Sequence, residues 1–412
     1  MVALKTIGSR KILDIPIGIF LIIISARIVT ISVMAIGREY LPKAHYPQKS
    51  WMINENYLFI THLANFDGAW FIRVAALGYE KLKNGNYNLE EEKKRLKVMD
   101  EWGYQDGIKG FGYRHFPLFP YTIRALATIT GEYLITGVLI ANLFSFLYII
   151  YIYKLTQLEF GEKAGWWATA FATFFPNAHY FIAIYSEGMF MTFSLGALYH
   201  ARKKQWNKAL VFGLLSSATR LEGIFISLGL LFILIDEKGG WKKLLSSKEK
   251  FSSLFRERMF YYCMFVPLGL LFPILEYWRV AGSPIAPYLY MQKALGVMAV
   301  FPWQAFALDF RAPNPVTLGV DVPFFVVMVI LTVLSARRLS TPFAIFTIAE
   351  LCARLIQPHI GILRFLIAFF GFYMYLGELG VRHPPIAKII LLACALLLGF
   401  FSILFINGYW IA

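Results

Sequence analysis

Charge is what this chain has least of. Only 16% of its 412 residues are Asp, Glu, Lys or Arg, where a soluble domain carries about a quarter. That shortage excludes an ordinary water-soluble globule. Cysteine is scarce as well. Cys263, Cys352 and Cys394 all lie in apolar segments with no pairing pattern, so they read as small core residues and not as a disulfide framework or a thiolate metal site. The chain also lacks a Gly-rich phosphate loop, metal-ligand spacing, a nucleophile elbow and the aromatic–basic stripe of a nucleic-acid binder. It has no internal repeat and no low-complexity linker.

What is present is apolar. Hydrophobic residues make up 58% of the chain and the mean hydropathy is +0.57. Runs such as IPIGIFLIIISARIVTISVMAI (15–36) and IAKIILLACALLLGFFSILFI (386–406) are long enough to cross a hydrocarbon core of about 30 Å. The first is too long for a signal-peptide core and runs into VMAIGREYLPKAH without a small-residue cleavage site, so it reads as a retained anchor. The expected fold is an all-α polytopic membrane protein forming one domain over 1–412, with about eleven crossings. These are placed near 14–36, 133–153, 165–183, 188–200, 208–219, 222–235, 259–278, 322–336, 341–355, 364–380 and 386–407. Residues 37–132 form a large first external loop with amphipathic, interfacial helices and a charged insertion at 80–110.

The net charge of +15 orients the chain and does not call for nucleic acid: basic residues hold cytoplasmic loops in place and touch anionic lipid headgroups. With Lys5, Arg10 and Lys11 in the cytoplasm, the loops KLTQLEFGEK, ARKKQWNK, DEKGGWKKLLSSKEKFSSLFRER, ARRLS and VRHPPIAK fall on the same side. All but the first carry a Lys/Arg excess, as the positive-inside rule requires. The opposite face receives 37–132, YSEG (185–188), TRLEG (219–223), 279–320 and QPHIGILR (357–364). Polar groups next to aromatics, Gly and Pro therefore gather on one extracytoplasmic face, whereas a transport pathway would place ionisable residues in mid-membrane.

Each polar group there has a structural and a chemical reading. In FDGAWFIRVAALGY, Asp67 precedes a helical pattern of Phe66, Trp70, Phe71, Val74 and Leu77; it either caps that helix or serves as a general base. Arg114 and His115 stand before a paired-proline turn and a second amphipathic helix, suited to a phosphate or to headgroup anchoring. Ser186 and Glu187 fit an N-cap and an acidic first turn, with Glu187 facing the same aqueous side as Asp67. Arg220 and Glu222 form either an internal ion pair or a phosphate or sugar contact. Gln292 and Lys293 lie on an ordered loop leading into a short helix. Arg364 opens an apolar span, where an arginine is paired, snorkelling or functional.

Six segments in this order resemble the PIG-V family of GPI mannosyltransferases (GPI mannosyltransferase 2) and its prokaryotic relatives: FDGAWFIRVAALGY, HFPLFPYTIRAL, FFPNAHYFIAIYSEGMFM, ATRLEGIFI, GSPIAPYLYMQKALG…FPW and RFLIAFFGFYMYLG. They run from residue 65 to 377. The resemblance implies a GT-C glycosyltransferase: a multi-spanning enzyme with a lumenal or extracytoplasmic site. Such an enzyme takes sugar, here mannose, from a dolichyl- or polyprenyl-phosphate donor and inverts the anomeric centre. It also implies an essential acidic residue in the first large external loop, which by motif position is Asp67. The phosphate leaving group needs cationic stabilisation, for which Arg220, Arg364, His115 and Lys293 are ranked in that order, with Arg114, Glu187, Glu222 and Gln292 as further substrate contacts. No cofactor is needed; a divalent cation is compatible with the chemistry, but no ligand cluster speaks for one.

In ATRLEG, Leu-Glu stands where many relatives carry Pro and a small residue, and RFL replaces a more usual Arg-Tyr; both bear on acceptor and sugar identity. The expected partners are the lipid-phosphate sugar, a lipid-linked or glycan acceptor and membrane lipids. The absence of eukaryotic-type retention signals points to a prokaryotic, archaeal cell membrane. A flippase for lipid-linked sugars and a non-catalytic subunit of a glycosylation complex are the alternatives.

Overall fold

The computed structural model describes residues 11–12, 15–44, 59–84, 111–289, 304, 317–355, 361–409 and 411. Gln292, Lys293 and positions 85–110 of the charged insertion lie outside these. The described chain is almost wholly helical; a two-residue antiparallel pair, Lys11–Ile12 with Ile15–Pro16, precedes the first long helix.

Each expected span overlaps a described helix, although 165–183 runs on past Phe174 into irregular backbone and 364–380 crosses a break at Phe369. Among the described residues, five helices are long and apolar enough to cross a membrane: Ile17–Tyr40, Tyr133–Phe160, Arg258–Ala281, Gly319–Ala336 and Pro384–Ile406. The pair Ile362–Ala368 and Phe370–Arg382, bent by 73°, makes a sixth if counted as one broken span. The chain is therefore a multi-pass membrane protein. The remaining five expected crossings fall on shorter helices: Glu162–Phe174, Glu187–Arg202, Trp206–Thr219, Ile226–Glu237 and Thr341–Leu355.

Length has a consequence here. At 1.5 Å per residue, the 16-residue helix Glu187–Arg202 reaches about 24 Å, short of a hydrocarbon core of about 30 Å. Trp206–Thr219, Ile226–Glu237 and Thr341–Leu355 are shorter still. Their shared ends meet at one level. Irregular backbone is tolerated at such depth only where protein buries it or water lines it, and the segment between Phe174 and Glu187 is buried throughout.

Packing holds this arrangement together. Glu187–Arg202 lies between Tyr133–Phe160 and Trp206–Thr219, while Glu162–Phe174 packs on Phe370–Arg382. On Tyr133–Phe160, Tyr148, Ile149, Ile152 and Tyr153 belong to the main core and Ile140 to a second cluster with Phe71 and Phe119, while Leu139 and Leu143 are exposed as lipid-facing residues would be.

The Asp67 helix differs from the expected interfacial one. Asp67–Asn84 is enclosed on nearly every side from Asp67 to Tyr79, packed on Leu118–Thr130, Tyr133–Phe160 and the 3-10 turns Phe59–Ala64 and Phe111–Arg114. Its aromatics serve as core, which a helical apolar pattern alone cannot distinguish from an interfacial stripe. The helix breaks at Gly78 (φ 74°), and Arg124 donates to the freed carbonyls of Ala75 (2.6 Å) and Val74 (3.1 Å). A Cβ at Gly78 would stand 3.0 Å from Arg124 Nη2, so glycine answers both the positive φ and the close approach. Leu118–Thr130 is amphipathic as expected, burying Phe119 and Ile123 while exposing Leu126 and Ile129.

Candidate active site

Asp67 is the first residue of its helix, yet it caps nothing. Its Oδ2 accepts from Arg364 Nη1, and its Oδ1 is buried without a hydrogen-bond partner. The residue before it, Phe66, has φ 59°, a left-handed conformation that is an outlier for a bulky side chain. The surrounding contacts over-determine it. Ile184 N donates to Leu63 O (2.9 Å), Asn65 Nδ2 to Phe405 O (2.8 Å) and Tyr185 OH to Asn65 O (3.1 Å). This clamp aims the start of the helix at the level where the short helices end.

At that level six charged side chains form a chain of alternating sign. Asp67 pairs with Arg364, and Arg364 with Glu187. Glu187 pairs with Arg220 (2.9 Å), Arg220 with Glu222 (3.3 Å), and Glu222 with Arg354. Three carboxylates and three guanidinium groups sum to zero formal charge. Buried charges persist where paired in this way, because desolvation of each ion is offset by its neighbours. Glu187 begins its helix but is not joined by the expected cap: Ser186 occupies the N-cap position without a side-chain hydrogen bond. The reading of Arg220 and Glu222 as an internal ion pair matches the geometry.

Arg364 is pinned from behind. Its four-residue helix Ile362–Phe365 starts after Gly361 (φ 81°). Asp321 Oδ1 accepts from the backbone N–H groups of Gly361 and Ile362, both at 3.1 Å, and Asn177 Nδ2 donates to Leu363 O (2.9 Å). The guanidinium lies 4.7 Å over the Tyr185 ring. Its Nε and Nη1 are used on Glu187 and Asp67, and Nη2 makes no hydrogen bond among the described residues. A narrow cleft opens beside it, with Glu187, Arg220, Glu222, Arg354, Arg364 and Phe365 among its walls. Gly223 lets the Arg220–Glu222 turn close against the preceding helix, since a Cβ there would lie 2.4 Å from Ser216 backbone carbon.

His115 is buried, with its ring centroid 4.7 Å from that of Phe71, and its carbonyl accepts from Tyr79 and Tyr277. Burial pushes its imidazole down to about 4, against the opposing pull of Asp67, so it is neutral at pH 7. Burial on its own would raise the Asp67 carboxyl. The Arg364 guanidinium foremost, with Arg114 at the rim and with His115 once acid protonates it, instead holds it well below the usual carboxylate range. Arg114 is exposed at the rim.

Two side chains of the site went unread in the sequence. Arg354 and Glu350 sit four residues apart in a stretch that reads as an apolar span. Arg354 completes the charged chain. Glu350 is fully buried beside it, with neither carboxyl oxygen hydrogen-bonded. Two ionisable residues inside one apolar span are the signal that was there to find. Among the described residues, no three His, Cys, Asp or Glu side chains are grouped to hold a metal ion.

No family model matches the chain, and no curated protein matches it by sequence. Among solved structures, it is similar to the oligosaccharyltransferase of Archaeoglobus fulgidus crystallised with zinc and sulfate. The TM-score is 0.47 at 13% identity, over 94% of this chain and 53% of that one. It is likewise similar to the A. fulgidus oligosaccharyltransferase AglB in complex with an inhibitory peptide and a dolichol-phosphate: TM-score 0.45 at 12% identity, over 95% of this chain and 56% of that one. The chain thus spans about half the length of the archaeal oligosaccharyltransferases it is similar to.

Proposed function

We propose that the chain is an inverting GT-C-type glycosyltransferase working on the extracytoplasmic side of the membrane. It would move a sugar, mannose by the motif resemblance, from a polyprenyl- or dolichyl-phosphate donor to a hydroxyl of a lipid-linked or glycan acceptor. The observation that carries this reading is Asp67: one oxygen is fixed by Arg364 and the other is buried with no partner. A buried acceptor without a donor is costly, and an acceptor hydroxyl would satisfy it.

In this mechanism the hydroxyl donates to Asp67 Oδ1 and its oxygen attacks the anomeric carbon as the bond to the phosphate oxygen breaks. The hydroxyl proton passes to Asp67 and then to solvent, and the lipid phosphate leaves with the bonding pair. Arginine suits that leaving group because its planar fork meets two oxygens at once. Arg364 and Arg220 both line the cleft. A carboxylate held as low as Asp67 is a weak base at rest. A phosphate bound to Arg364 draws on the same positive charge and so raises the basicity of Asp67 when donor is present.

A transporter of lipid-linked sugars is the second reading, favoured by charged side chains lying at helix ends below the full span. The deciding experiment incubates the purified protein in lipid with dolichyl-phosphate mannose and a panel of acceptors, alongside Asp67→Asn. Acceptor-dependent release of dolichyl phosphate that Asp67→Asn abolishes supports transfer. No release with any acceptor argues for the non-enzymatic reading.

A further inference from the structure

Arg27 lies near the middle of the first long helix, Ile17–Tyr40. It is ten residues from one end and thirteen from the other, about 15–20 Å at the helical rise. A snorkelling arginine cannot reach either surface over that distance, because its side chain spans only a few ångströms. On the same helix Ile23, Ala26 and Thr30 are buried, while Ile24, Ile28 and Val29 are exposed. Arg27 stands between these two sets, half-buried, at the edge of the lipid-facing surface.

Its partners are neutral. Nη1 donates to Asn142 Oδ1, and Nη2 donates to Ser145 Oγ at 2.6 Å. Among the described residues it has no carboxylate partner, in contrast to the three arginines of the charged chain. Two of its five N–H donors are used and the rest remain. The partners are themselves held. Asn142 Nδ2 donates to Ile182 O (3.0 Å) and Ser145 Oγ to Phe181 O (2.8 Å), which ties the guanidinium to the irregular segment before Glu187. Beside it runs a narrow groove lined by Arg27, Thr30, Ile149, Thr173, Phe181 and Ile182.

A permanent cation in hydrocarbon, fixed in place and given only neutral partners, has an unmet requirement for negative charge. We infer that Arg27 and the Thr30–Thr173 groove form a second anion site, taking the phosphate of a membrane lipid that enters from the bilayer with its acyl or prenyl chains along Ile24, Ile28 and Val29. The chemistry is a guanidinium–phosphate pair; the Thr30 and Thr173 hydroxyls line the groove but donate to Ala26 O (2.8 Å) and Thr169 O (2.6 Å), so Arg27 carries the anion. This site is separate from the charged chain and stands whether or not the transfer reading holds.

The test is native mass spectrometry of the detergent-purified full chain after incubation with phosphatidylglycerol, with a polyprenyl phosphate, or with diacylglycerol, which has no phosphate. Wild type is expected to retain one phosphate-bearing lipid that Arg27→Gln binds at least about tenfold more weakly, the worth of a charged hydrogen bond; diacylglycerol should be indifferent to the substitution. Loss of phosphatidylglycerol alone assigns the site to headgroups, and loss of polyprenyl phosphate alone assigns it to prenyl lipids. Equal retention of both by the two proteins overturns the site. Should Arg27→Gln not fold, a photoactivatable phosphatidylglycerol or polyprenyl phosphate on wild type decides: crosslinks are expected on peptides holding Thr30, Thr173 or Phe181, and crosslinks confined elsewhere overturn it.

Discussion

Arg364 grips Asp67 by one carboxylate oxygen and leaves the other, Oδ1, buried and unpartnered. Most buried acceptors have a donor, so an oxygen left open beside a charged partner is placed to receive one. The pairing therefore fixes the carboxylate in orientation while keeping one lone-pair face for an incoming donor. Asp67→Asn keeps shape and volume but removes the basic oxygen. On the proposed function, sugar transfer by the purified protein should fall by about 10²–10⁴-fold, with the melting temperature little changed. Near wild-type turnover in that variant would remove Asp67 from the chemistry.

Position along the charged chain determines what each arginine is worth. Among the described residues Arg364 is the one hydrogen-bond partner of the Asp67 carboxylate, so Arg364→Gln strands a buried carboxylate and should destabilise the protein by about 3–5 kcal/mol. Glu222 keeps Arg220 when Arg354 is lost, so Arg354→Gln should cost much less. Thermal denaturation in one detergent compares the two directly, and the reverse order would contradict the pairing described.

Acid should destabilise the protein through histidine before it does so through Asp67. The folded pKa of His115 is lowered to about 4 from an unfolded value near 6.5. Its neutral form is favoured by folding, so the associated stability is complete above about pH 6.5 and falls as pH drops towards 4, by up to about 3 kcal/mol. His62 is lowered to about 4 by burial, then by Arg38 and Lys43, and acts in the same direction. The Asp67 carboxyl is depressed, so its contribution is present above about pH 4 and is lost only as pH falls through its lower folded value. Melting curves of wild type and His115→Phe between pH 7 and pH 4 should differ in slope. Parallel curves would mean that His115 is not buried neutral.

The long helices were legible because lipid imposes a composition that survives in one dimension. Tyr133–Phe160 and Pro384–Ile406 announce themselves by apolar length alone. The ion pair of Arg220 with Glu222 was legible for a similar reason: the two sit two residues apart at a polar break between apolar runs. The join of Glu222 to Arg354 spans 132 residues, and that of Asp67 to Arg364 spans 297; no local pattern encodes either. Asp67 also misled locally. It begins a helix as an N-cap residue would, but the left-handed Phe66 before it and the guanidinium opposite it turn the carboxylate away from the backbone. Helical periodicity likewise could not tell whether Trp70 and Phe71 face lipid or protein.

The basic loops predict an orientation that labelling can check. Lys203 and Thr128 are both exposed, and the charge distribution puts Lys203 in the cytoplasm and Thr128 outside. In a background with Cys352, the exposed native cysteine, replaced by serine, Thr128→Cys should react with an impermeant maleimide in intact cells. Lys203→Cys should react only after permeabilisation. The opposite pattern would place Asp67 on the cytoplasmic side and end the extracytoplasmic assignment.

Chelation tests the charge logic of the site. A divalent cation shared by Asp67 Oδ1 and Glu187 Oε2, both unpartnered, would press against the Arg364 guanidinium that already bridges these two residues. At a few ångströms and low effective dielectric that repulsion amounts to several kcal/mol, and the charged chain sums to zero without a metal. Transfer should therefore proceed at an unchanged rate in excess EDTA, with Arg364 supplying the positive charge at the leaving phosphate. Activity lost to EDTA and recovered with Mn²⁺ or Mg²⁺ would mean that Arg364 swings away during turnover, and that Asp67 serves as a metal ligand and not as the base.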